Sequence, residues 1–231
     1  MKHLGFFLLI ILVSWQHGCN SETDQTDMQT MKYLALGDSY TIGERVSEQK
    51  RFPVQLVDTL RVYWLDVNDP EIIATTGWTT DELAAGIEEA NITGPYDLVT
   101  LLIGVNNQYR GRSVENFREE YVELLEQAIA FAGGHPEKVV VISIPDWGVT
   151  PFAEGRDREQ IAQEIDAYNA AKMEETMEKG VSFINVTPIS RQAAEQPELI
   201  AEDGLHPSGA MYKLWVDLMF NEAKAAITFN P

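Results

Sequence analysis

A hydroxyl, an imidazole, a carboxylate and an amide sit in three short, turn-like segments of this chain. They are Gly37-Asp38-Ser39-Tyr40, Gly104-Val105-Asn106-Asn107 and Asp203-Gly204-Leu205-His206-Pro207. Two further segments, Thr75-Thr76-Gly77-Trp78 and Pro145-Asp146-Trp147-Gly148, add glycine and aromatic residues. A nucleophile, a base, an orienting acid and N–H donors for a developing oxyanion are the parts of acyl transfer. A serine hydroxyl is a weak nucleophile at neutral pH, so the chemistry requires a base beside Ser39.

The elements that must position these groups are legible from hydropathy. Five short apolar runs, rich in Val, Ile and Leu, occupy residues 33–36, 71–74, 97–103, 138–144 and 181–186. Continuous apolar runs of this length suit strands buried on both faces of a parallel sheet. Helical spacing separates them: Leu56, Leu60, Tyr63 and Trp64 after Pro53; a capping-box pattern at Thr79 and Glu82; Val114 to Ile129; Ile161, Ile165 and Tyr168; and Met211, Leu214, Trp215 and Leu218 after Pro207. Alternating strands and helices predict one α/β domain, a three-layer α/β/α sandwich on a five-stranded parallel sheet. Each chemically interesting segment follows a strand, and open α/β sheets bind ligands outside the carboxyl ends of their strands. Of the four histidines, His3 and His17 lie in the N-terminal segment and His135 precedes the fourth strand, at the opposite end of the sheet. By elimination His206 is the base for Ser39.

The order of these blocks resembles the SGNH (GDSL-type) hydrolases: GDSY after the first strand, Gly77 after the second, GVNN after the third and DGLHP near the C-terminus. The resemblance runs from Tyr33 to the last helix. It implies a flavodoxin-like fold and a carboxylic-ester hydrolase without metal or organic cofactor, acting on a small-molecule ester: a short-chain acyl ester, a lysophospholipid or an acetylated sugar. It further implies Ser39 as nucleophile, His206 as base and Asp203 as its orienting partner. The oxyanion would be bound by the backbone N–H groups of Ser39 and Gly77 and the side-chain amide of Asn106. Asn107 stands where the family often has Asp. Thr41 stands where a Gly-x-Ser-x-Gly elbow has its second glycine, which speaks against the α/β-hydrolase elbow. Trp78, Asn107, Tyr109 and Trp147 lie on loops at the same end and are candidate substrate contacts. Acyl transfer to a sugar, or carbohydrate binding without cleavage, are the alternatives on the same residues.

Acidic residues outnumber basic ones 36 to 17, a formal charge of −19, which disfavours nucleic-acid binding. Lys2 and the apolar run 4–15, too short to span a bilayer, predict an export signal. Cys19, the sole cysteine, resembles the lipidation site of bacterial lipoproteins, although Gln16 and His17 depart from that pattern. The expected organisation is a signal peptide at 1–18, lipidated Cys19 with a flexible tether at 19–31, and a hydrolase domain at 32–231. The expected location is a bacterial cell envelope, periplasmic or outer-membrane, with attachment to membrane through Cys19; the alternative is a plain secretory signal and a secreted enzyme.

Overall fold

The computed structural model describes residues 1–2 and 30–231; the expected leader core, Cys19 and most of the tether lie outside the described residues. Five strands form: β1 (Tyr33–Gly37), β2 (Glu71–Ala74), β3 (Leu98–Leu102), β4 (Val139–Ile142) and β5 (Ser182–Ile184). All pairings are parallel and the spatial order is β2-β1-β3-β4-β5. The apolar runs set this order. β1, β3 and β4 are buried at every residue, whereas the edge strands β2 and β5 are partly exposed. The chain leaves β1 toward one edge and returns to its other side at β3. That reversal opens a crevice at the carboxyl ends of β1 and β3.

Among the described residues eight α-helices flank the sheet: α1 (Ser39–Ile42), α2 (Phe52–Val62), α3 (Thr80–Ala90), α4 (Val105–Tyr109), α5 (Val114–Phe131), α6 (Arg158–Glu178), α7 (Thr187–Arg191) and α8 (Gly209–Ile227). Helices α2 and α8 pack together as one layer, and α3, α5 and α6 form the other. The five-stranded parallel α/β/α sandwich expected from the sequence is the architecture found. The capping box also forms: Thr79 N donates to the Glu82 carboxylate at 2.9 Å and opens α3.

Local differences have physical causes. The apolar spacing carries the second helix to Trp64, but α2 ends at Val62. Trp64 takes a left-handed φ of 66° and is 95% exposed. Its predecessor Tyr63 packs on Phe220, with ring centroids 4.6 Å apart. Pro207 stands before the N-cap of α8 rather than in its first turn. Ser208 is that cap, and Pro207 pairs with Ile200 in an antiparallel bridge. On α8 the inward stripe is Met211, Tyr212, Trp215, Val216 and Met219, while Leu214 and Leu218 face outward. Helices α1, α4 and α7 are four or five residues long, too short to show a period in sequence.

Candidate active site

Ser39 is the first residue of α1, presented by a turn that admits no alternative to Gly37. A Cβ there would stand 2.3 Å from the Leu102 carbonyl oxygen and 2.2 Å from Thr41 Oγ1. Asp38 caps the helix by accepting from Tyr40 N at 3.0 Å, and Gly43 closes it in a left-handed conformation. Four residues of helix between an aspartate cap and a glycine stop therefore fix Ser39 at the top of β1. Among the described residues, the Ser39 backbone N–H has no protein acceptor.

The Asp203–His206 segment is organised by one carboxylate. Asp203 Oδ1 accepts from the backbone N–H groups of Leu205 and His206, both at 3.0 Å. Its Oδ2 lies 2.6 Å from His206 Nδ1. Partial burial works to raise the Asp203 pKa, but the hydrogen bonds from the His206 ring and from the two backbone N–H groups outweigh it and hold the carboxyl below its ordinary value. A carboxylate on Nδ1 leaves Nε2 free to accept a proton. His206 is 8% exposed, with the Tyr40 ring packed edge-on at 5.8 Å. The loop itself is braced from the far wall, where Phe152 N donates to Gly204 O at 2.9 Å.

Ser39 and His206 line one cleft of about 180 Å³, together with Tyr40, Thr76, Gly77, Val105, Asn106, Tyr109, Trp147, Phe152 and Leu205. No direct Ser39–His206 hydrogen bond forms among the described residues, as is common before substrate tightens such contacts. Gly77 takes a φ of 89°, a conformation that favours glycine, and its N–H has no protein acceptor among the described residues. Arg110 fixes the turn by donating to Gly77 O at 2.6 Å. Asn106 Nδ2 donates to Trp78 O at 2.9 Å, which orients the amide and leaves its second hydrogen unassigned.

The remaining candidates divide. Trp147 and Tyr109 line the cleft, their rings packed on each other and on Phe152. Trp147 is fixed by Nε1 donating to Gln108 Oε1 at 2.8 Å. Asn107 is fully buried and spends its amide on Thr80, accepting from its N–H at 3.1 Å and donating to its Oγ1 at 2.6 Å. It braces the start of α3 and does not reach the cleft. Trp78 packs its ring on Gly86 of α3 and contributes only its carbonyl to the Asn106 amide. Val105 and Leu205, inside two of the motifs, and Phe152, outside them, form the apolar wall of the cleft. Phe152 reaches it through the pairing of its N–H with Gly204 O, which local pattern does not encode.

A larger cleft of about 440 Å³ lies at the other end of the sheet, lined by residues such as Lys32, Tyr33, Asn68 and Tyr96. It contains no serine or histidine, so the smaller cleft is the one equipped for chemistry. Among the described residues no cluster of three His, Cys, Asp or Glu side chains is placed to hold a metal ion, and no helix is long and apolar enough to cross a membrane.

A five-stranded parallel sandwich with its polar groups gathered at the switch point is a flavodoxin-like α/β/α fold. The chain belongs to the GDSL-like lipase/acylhydrolase family, whose model matches residues 35–214, and it is accordingly an acylhydrolase. Its fold is similar to the crystal structure of TesA, at 16% identity and a TM-score of 0.67 over 85% of this chain and 99% of that one. It is also similar to the lipase/acylhydrolase from Enterococcus faecalis, at 24% identity and a TM-score of 0.64 over 84% and 96% of the two chains. Axe2, an acetylxylan esterase from Geobacillus stearothermophilus, aligns at 19% identity and a TM-score of 0.64 over 87% of this chain and 95% of that one. No curated protein matches this sequence.

Proposed function

We propose that the protein is a serine esterase that cleaves carboxylic esters bearing a compact acyl group, with Ser39, His206 and Asp203 as its triad. The observation that carries this reading is the 2.6 Å contact of Asp203 Oδ2 with His206 Nδ1, in a ring that shares a 180 Å³ cleft with Ser39. In the first step His206 Nε2 takes the Ser39 proton as Oγ attacks the ester carbonyl, and the C=O electron pair becomes an oxyanion. Asp203 stays ionised and stabilises the imidazolium. The Ser39 and Gly77 N–H groups and the Asn106 amide donate to that oxyanion. Collapse expels the alcohol, which receives the proton from His206, and leaves an acyl group on Ser39. Water repeats the sequence, giving the carboxylic acid and free Ser39. The limited volume of the cleft and its apolar wall of Val105, Tyr109, Trp147, Phe152 and Leu205 favour a short acyl chain.

Ser39→Ala tests the assignment. Turnover of a short-chain aryl ester should fall by roughly a millionfold, with circular dichroism unchanged. Turnover near that of the wild type would remove Ser39 from the chemistry.

A further inference from the structure

Trp147 and Tyr109 each face two clefts. On one side is the 180 Å³ cleft of Ser39 and His206. On the other is a second cleft of about 320 Å³, lined by Gln108, Arg156, Ile161 and Glu164 as well as by the two rings. The rings pack edge to face with centroids 5.5 Å apart, and together they form a partition between the clefts.

A hydrogen-bond chain ties that partition to α6. Trp147 is 4% exposed, and its Nε1–H, which can only donate, meets Gln108 Oε1 at 2.8 Å. This fixes the direction of the Gln108 amide, whose Nε2 donates to Glu164 Oε2 at 2.7 Å. The other carboxylate oxygen of Glu164 accepts from Gln160 Nε2 at 2.8 Å. Gln108 is buried on α4, two residues past Asn106, and Glu164 is half-buried on α6. The indole cannot turn without leaving a buried donor unpaired, which is costly. The Arg156 guanidinium also packs on the wall, 5.1 Å from the Tyr109 ring, 5.3 Å from Trp147 and 5.2 Å from Phe152.

We propose that Gln108 and Glu164 are specificity-determining positioning residues: through the Trp147 indole they hold the partition shut, and this limits the length of acyl chain that Ser39 accepts. The proposal deepens the esterase reading and rests on it. Neither residue touches substrate. A short acyl group ends against the Trp147 ring, and a longer one needs the space behind it. With the chain intact, that space is reached only by displacing a buried, hydrogen-bonded ring. With the chain cut, the ring is free to swing and the second cleft opens to the first. Contact made or lost by single methylenes in an apolar pocket is enough to change selectivity by about tenfold or more.

The test compares wild type, Gln108→Leu, Glu164→Ala, Glu164→Gln and Ser39→Ala on p-nitrophenyl acetate, butyrate and octanoate, with kcat and KM read separately. Gln108→Leu and Glu164→Ala should each raise the octanoate-to-acetate ratio of kcat/KM by about tenfold or more, through a lower KM for octanoate, with kcat on acetate within about threefold of wild type. Glu164→Gln keeps an oxygen for the Gln108 amide and should hold the ratio within about twofold of wild type. A ratio unchanged in both disrupting variants, or activity lost equally on all three esters, would overturn the proposal, because the chain would then brace the fold without setting acyl length. Where Gln108→Leu does not fold, Glu164→Ala decides alone by the same two outcomes. Retained turnover in Ser39→Ala would overturn the nucleophile assignment instead, and with it the limit that the partition sets.

Discussion

The turn that carries Ser39, the proposed nucleophile, and the loop that carries His206, the proposed base, each hold an aspartate, and they treat it in opposite ways. Asp38 is buried, with one oxygen capping α1 and the other without a hydrogen-bond donor, and its pKa is pushed up to about 7. Asp203 keeps its side chain partly in solvent, receives two backbone N–H groups and the His206 ring, and sits below its ordinary value. One carboxylate is kept charged by three donors; the other is kept costly by burial, with the Tyr40 N–H as its one direct donor. Donor count therefore decides which acid can steady an imidazolium, and proximity in sequence to the reactive residue does not.

Asp203→Asn is the strongest way to break that contrast. An amide cannot stabilise the imidazolium and biases the ring toward the wrong tautomer. The kcat should fall by about ten-thousandfold with the fold intact, measured on the same aryl ester. A loss within tenfold would mean that His206 does not depend on Asp203, and the two aspartates would no longer differ in function.

The contrast was half legible in the sequence. The base loop declares itself: Asp203 and His206 stand three apart, Pro207 follows, and the other histidines lie elsewhere. The same holds for the strands, because a parallel strand buried on both faces has to be continuously apolar. The cost of Asp38 was not legible, since burial is a property of the packed fold and its neighbours come from β3, α6 and α8. Lys172, buried on α6, did leave a trace. It continues the inward stripe Ile161, Ile165, Tyr168 at helical spacing, so a charged residue occupies a core position. Asn107 misled for the complementary reason. It adjoins Asn106 in the same turn, but on a helix adjacent residues point about 100° apart, and one faces the cleft while the other faces α3.

Asn106, on α4 just after β3, sharpens the comparison. Its amide is oriented by the Trp78 carbonyl, not by a charge, so it should act as a single neutral oxyanion donor. Asn106→Ala should lower kcat by about a hundredfold, two orders less than Asp203→Asn, with KM little changed. An equal loss from both variants would indicate that the amide also braces the base loop, and that the two regions are one unit.

The smallest expected effect is in stability, and it differs in sign between the two carboxylates. Asp203 has a folded pKa below its unfolded value. It therefore contributes stability that is present above pH ~4 and is lost as pH falls through the folded pKa. Asp38 has a folded pKa raised to about 7, so the folded state binds its proton more tightly than the unfolded chain does. Its contribution is present below pH ~4 and is lost as pH rises toward 7. Thermal unfolding midpoints should then move in opposite directions relative to wild type, each in its own window. Asp203→Asn should fall further behind as pH rises toward ~4, and Asp38→Asn should gain as pH rises from ~4 to 7. Parallel slopes for the two variants would show that burial and donors act alike on both acids, and the distinction between the nucleophile turn and the base loop would fail at its physical root.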